Sequence, residues 1–132
     1  MHIIVYCGAS TGQNPVYLKA AEALGTWMAQ HNYGLVYGGG NVGLMGHLAD
    51  TVKQHQGHVV GIMPKFLEEK EIAHQGLDEL IIVDTMAERK AAMLDKGDAC
   101  LALPGGPGTL EEITEMVSWA RIGQNAVSYT HL

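Results

Sequence analysis

A chain of 132 residues, 47% hydrophobic and 17% charged, has the length of one domain with a full core and is too apolar for a disordered segment. Its formal charge of −6 excludes the clustered cationic surface that nucleic acid requires, while a small anion could still be held by a few local cations and helix N-termini. No basic n-region precedes an apolar stretch and no apolar run nears the ~18 residues of a membrane span, so a cytoplasmic protein without a membrane partner is expected.

In chain order, "HIIVYC" (2–7) reads as a strand ending at Gly8, and 15–31 as a helix with Asn14 as N-cap and Pro15 at its first position. Leu18, Ala21, Leu24, Trp27 and Met28 recur there at helical spacing. "GLVYGGG" (34–40) is a second strand, 42–56 a second helix, and "HVVGIM" (58–63) a third strand closed by Pro64. The alternation repeats with a strand at 79–84, a helix at 86–97, a strand at 99–104 and a helix at 109–123. Continuously apolar strands separated by helices predict a doubly wound, Rossmann-like α/β fold, a parallel sheet with helices on both faces. Cys7 and Cys100 fall in these strands and read as reduced core thiols.

Ligands of such folds bind outside the C-terminal ends of the strands. The unusual residues collect there: 8–12 with Ser10, 38–43 with Gly39 and Gly40, 64–71 with Glu71, 84–90, and 104–108.

Gly38, Gly40 and Gly43 match a dinucleotide fingerprint between strand and helix. The acid that would hold a ribose hydroxyl is missing, because the third strand ends in "GIMP" (61–64). A dinucleotide site, against which the missing acid counts, close backbone packing and the lining of a nucleotide or phosphate pocket are the readings.

In "LPGGPGTLEE" (103–112), Gly105, Gly106 and Gly108 allow close backbone approach before a helix N-terminus near Thr109, which together suit an anion. Pro107 removes one donor from that loop. Glu111 and Glu112 have a structural reading, since Thr109-x-x-Glu112 is a capping box. They also have a chemical one: a carboxylate beside a phosphate site would match the positive charge that develops on a departing sugar.

Thr85-x-x-Glu88 is a second capping box, but Arg89 and Lys90 lie where the helix dipole disfavours cations, so a negative partner is expected. A solvated pair and a phosphate clamp are the alternatives. The seven histidines form no metal-binding spacing, and neither a metal nor a cofactor is expected.

The segments "PGGPGTLEE" (104–112) and "MAERK" (86–90), with "CGASTGQNPVY" (7–17) and "LVYGGGNVGLMG" (35–46), resemble the cytokinin-activating phosphoribohydrolases of the Lonely Guy family. Members of that family have been labelled lysine decarboxylase-like, although no Schiff-base lysine setting for pyridoxal phosphate is visible in this sequence. The resemblance implies hydrolysis of a purine nucleoside 5′-monophosphate to free base and ribose 5-phosphate. It implies Arg89 and Glu112 as the catalytic pair, and substrate or phosphate contacts from Gly105, Gly106, Gly108, Thr109 and Lys90. Glu71 and Glu111 would lie on the same rim, with Ser10, Gly39 and Gly40. A homodimer is also implied.

Ala87 and Pro107 depart from the family pattern, which expects His and commonly Tyr there. The resemblance runs to about Gly123, so residues 1–123 are expected to form the domain, incomplete at its C-terminus, and 124–132 a truncated or foreign tail. A carrier that holds a phosphate-bearing ligand without chemistry, like the molybdenum-cofactor carriers, is the rival reading.

Overall fold

The computed structural model describes residues 1–6, 15–41, 43–68, 73–102 and 128–131. Six strands form a parallel sheet in the order β4-β3-β2-β1-β5-β6. They are β1 (His2–Tyr6), β2 (Gly34–Tyr37), β3 (Val59–Pro64), β4 (Glu79–Val83), β5 (Ala99–Ala102) and β6 (Ser128–His131). The helices are α1 (Pro15–Gln30), α2 (Gly43–Gln54), a single turn α3 (Lys65–Glu68) and α4 (Met86–Lys96).

The strand order explains the layering. From β1 to β3 the chain steps outward in one direction, and from β4 it jumps back across the sheet to β5. Crossovers are right-handed, so a reversal of direction moves the connecting helix to the other face. Alternate strand residues follow. Ile3, Val5, Leu35, Tyr37 and Val59 pack with Ala21 and Met28 of α1 and Leu44, Leu48, Ala49 and Val52 of α2. Ile4, Tyr6, Val36, Val60, Ile62 and Cys100 face Met93 of α4. Most of these side chains are fully buried, and each large one stabilises the fold by about 1.5–3 kcal/mol.

The α/β, doubly wound, Rossmann-like reading holds, with several local corrections. Trp27 shares the helical spacing of the core residues but is 44% exposed, its ring tilted against those of His31 and Tyr33 with centroids 4.6 and 5.2 Å away. Pro64 is the last residue of β3, in register with Val83, where a missing N–H is tolerated at a strand end. β2 stops at Tyr37 rather than running through the glycines, and α3 was not foreseen. At the edge of the sheet β6 pairs with β5. Asn14, Cys7 and the predicted helix at 109–123 lie outside the described residues.

β1 and β5 are neighbours in space although three strands separate them in sequence, and Tyr6 is in register with Ala102. The sheet's direction of progression reverses between them, which is where doubly wound folds bind their ligands.

Candidate functional site

At the C-terminal ends of β2 and β3, α4 delivers one cation into the protein. Thr85 caps the helix: its Oγ1 accepts from the Glu88 N–H at 3.1 Å, and Glu88 Oε2 accepts from the Asp84 N–H at 2.9 Å. This is the predicted capping box with its return bond landing one residue before the cap. The cap fixes the helix start, so Arg89 points back toward the sheet at the end of the first turn.

Arg89 is only 9% exposed. Its Nε donates to the Ile62 carbonyl at 2.9 Å and its Nη2 to the Gly38 carbonyl at 2.7 Å, while Nη1 lies 3.9 Å from Met86 Sδ. The negative partner expected for this cation is therefore a pair of strand-end carbonyl oxygens, and the solvated alternative is excluded for Arg89. Hydrogen bonds with one ionised partner are the stronger kind, about 1.5–3 kcal/mol each. Lys90, the next residue, is half-buried.

The glycine turn after β2 is shaped by this arginine. A Cβ at Gly38 would come under 3.0 Å from Arg89 Nη2 and within 3.1 Å of Cζ, so only glycine leaves the guanidinium its place. Gly39 has φ +85°, a conformation that side chains resist. Each carbonyl of the turn has a protein donor: Arg89 at Gly38, the His74 N–H at Gly39 (3.0 Å) and the buried Tyr37 hydroxyl at Gly40 (2.8 Å). Gly40 also bridges Ala73 in antiparallel fashion. The close-packing reading of these glycines is thereby explained at Gly38.

His74 is 8% exposed and was missed in the sequence, as was its partner Asp50 on α2, which accepts at 2.5 Å from Nε2. The compact His74-x-Gly76 turn, in which Gly76 N–H donates to His74 Nδ1 at 2.9 Å, is the signal that could have marked it. Of the predicted site residues, Arg89, Gly39 and Gly40 come together here, with Lys90 next along α4. Ser10, Glu71, Gly105, Gly106, Gly108, Thr109, Glu111 and Glu112 lie outside the described residues. Among the described residues, no group of three or more His, Cys, Asp or Glu is placed to hold a metal, and no helix is long and apolar enough to cross a membrane.

A family model described as "Possible lysine decarboxylase" matches residues 45–129. A probable cytokinin riboside 5′-monophosphate phosphoribohydrolase of Oryza sativa subsp. japonica is 44% identical over 124 residues, 94% of this chain and 55% of that protein. A cytokinin riboside 5′-monophosphate phosphoribohydrolase of Arabidopsis thaliana is 46% identical over 121 residues, 92% of this chain and 56% of that protein. The chain thus spans about half the length of the curated relatives it matches. Among solved structures, the molybdenum cofactor binding protein of Rippkaea orientalis superposes with a TM-score of 0.71 at 28% identity, covering 98% of this chain and 76% of that one.

Proposed function

We propose, since the chain belongs to the family described as "Possible lysine decarboxylase", that it is a phosphoribohydrolase acting on purine nucleoside 5′-monophosphates of the cytokinin type. The observation that carries this reading is the joining of Arg89 to the glycine turn at the strand ends, the same rim on which the sequence places its phosphate loop and Glu112. Relatives sharing 44% and 46% identity are phosphoribohydrolases by name, which supports it further.

In the proposed reaction water adds to the anomeric carbon as the glycosidic C–N bond breaks. The bonding electron pair leaves with the base, and the proton released by water ends on the purine. Positive charge grows on the ribose as the base departs, so a carboxylate from Glu112 stabilises it and orients the water. Arg89, held by two carbonyls, supplies a fixed positive field beside the phosphate and costs no rearrangement during reaction. Gly39, Gly40, Gly105, Gly106, Gly108, Thr109 and Lys90 would bind the 5′-phosphate, with Ser10, Glu71 and Glu111 on the rim. No cofactor or metal enters the reaction.

A cytoplasmic homodimer completes the reading. Exposed Leu80 and Ile82 on the edge strand β4, with Phe66 on α3, give a second copy an apolar surface to cover. A carrier is the second reading, favoured by the likeness to the molybdenum cofactor binding protein.

The test is release of free base from AMP and from isopentenyl-AMP, followed by chromatography, for this chain and for Glu112→Gln. Release that disappears in the variant is the expected result. A folded chain that retains a phosphate-bearing ligand stoichiometrically and releases no base would replace the enzyme with the carrier.

A further inference from the structure

Outside the residues assigned so far, His74 is a buried polar side chain paired with the exposed carboxylate of Asp50. His74 lies in the connection between β3 and β4, and its ring is 8% exposed. Asp50 is on α2, the helix that begins just beyond the glycine turn. The ring is fixed at both nitrogens: Nδ1 accepts from the Gly76 N–H at 2.9 Å, and Nε2 meets Asp50 Oδ1 at 2.5 Å. A nitrogen that accepts from an amide carries no proton, so the proton sits on Nε2 and is donated to the carboxylate. Both polar atoms of the ring are therefore spent on structure, which leaves it no part in proton transfer.

What that structure holds is the turn. The backbone N–H of His74 donates to the Gly39 carbonyl at 3.0 Å, and Ala73 bridges Gly40. Arg89 holds the neighbouring Gly38 carbonyl from the α4 side. The turn is gripped from two directions, by α4 through a guanidinium and by α2 through Asp50 and His74. Gly39 sits at φ +85°, a backbone state that costs free energy and persists only when its surroundings over-determine it.

We infer that His74, braced by Asp50, is a positioning residue that sets the amides of Gly39 and Gly40 for the 5′-phosphate of the substrate. The inference rests on the nucleotide-binding reading of the turn but not on hydrolysis. Removing the brace leaves the base and ribose contacts in place and loosens the phosphate's donors. The loss then falls on binding of the phosphorylated ligand and on KM, with kcat nearly unchanged.

The experiment compares wild type with His74→Asn, His74→Gln and Asp50→Asn, measuring affinity for AMP and for adenosine by calorimetry, and kcat and KM for base release. Wild type is expected to bind AMP more tightly than adenosine. His74→Asn should weaken AMP about tenfold and leave adenosine within about twofold. His74→Gln, which can still donate to Asp50, should recover part of the loss. Asp50→Asn, on the exposed side of the contact, should fall between wild type and His74→Asn, and it carries the test if the His74 variants do not fold. Equal losses for AMP and adenosine, unchanged AMP affinity in all variants, or a wild type that does not prefer AMP would overturn the inference. A wild type that prefers AMP but releases no base would refute the hydrolase alone, because the affinity ratios still decide the role of His74.

Discussion

Replacing Gly38 with alanine should cost stability only while Arg89 is present. Gly38 is not in the left-handed region, so alanine is free of backbone strain there and even gains about 0.4–1 kcal/mol by restricting the unfolded chain. The added methyl, however, lies under 3.0 Å from Nη2. Restoring a van der Waals contact of ~3.5 Å moves the guanidinium by roughly 1.4 Å. That displacement stretches the bonds to Gly38 and Ile62, 2.7 and 2.9 Å long, past useful length. At about 1.5–3 kcal/mol for each charge-assisted bond, Gly38→Ala should cost about 2–4 kcal/mol. Arg89→Ala should cost about 3–5 kcal/mol, since it strands two buried carbonyls. In the Arg89→Ala background no remaining atom lies closer than 3.7 Å to the methyl, an ordinary contact, and Gly38→Ala should then fall within about 0.5 kcal/mol of neutral. Urea unfolding of the four proteins gives the coupling energy, expected at about 2–3 kcal/mol. Single effects that add within ~0.5 kcal/mol would refute the account of Gly38 as the seat of the arginine.

Thr85→Ala should destabilise by ~1 kcal/mol through loss of the cap, with Thr85→Ser close to wild type in the same unfolding assay. Stability should also fall in acid in two stages. Burial, the neighbouring His58 and the amino terminus lower the pKa of His2 below 6.5, against the pull of Asp98, so its contribution is complete above pH 6.5 and is lost as pH drops through the lowered value. Burial raises the Asp78 carboxyl, but hydrogen bonds from Lys53 and the Val59 N–H and the Lys53 charge outweigh it and hold it below 3.8; that contribution is lost at still lower pH. Urea midpoints measured against pH should show both steps, His2→Gln flattening the upper and Asp78→Asn the lower. Midpoints that rise on acidification would contradict both assignments.

Strand and helix order could be read because the strands are continuously apolar and two of the helices carry their own start signals, Pro15 for α1 and Thr85 with Glu88 for α4. Local rules failed where a distant partner decides. Trp27 has core spacing, but it is exposed and, among the described residues, its ring meets those of His31 and Tyr33. Arg89 was recognisable as misplaced against the helix dipole, yet its carbonyl partners lie 27 and 51 residues upstream, a distance no local pattern spans. The glycines of 38–40 matched a nucleotide fingerprint, but the reason for glycine at 38 is the arginine side chain. The His74-x-Gly76 turn is a weak local sign of His74, whose meaning comes from Asp50, 24 residues earlier on another element.

The two grips on the glycine turn also differ in when they can form. As the chain is synthesised, at ~5–20 residues per second, β1 to β3 are complete at Pro64. His74 follows within about ten residues, but Arg89 emerges 51 residues after Gly38 and reaches it only once α4 has crossed back over the sheet. A growing chain therefore carries a turn held from one side for a second or more. During that interval the Gly38 and Ile62 carbonyls must take their hydrogen bonds from water, so closure of the crossover from β4 to β5 both removes that water and installs the positive charge of Arg89 in a single step.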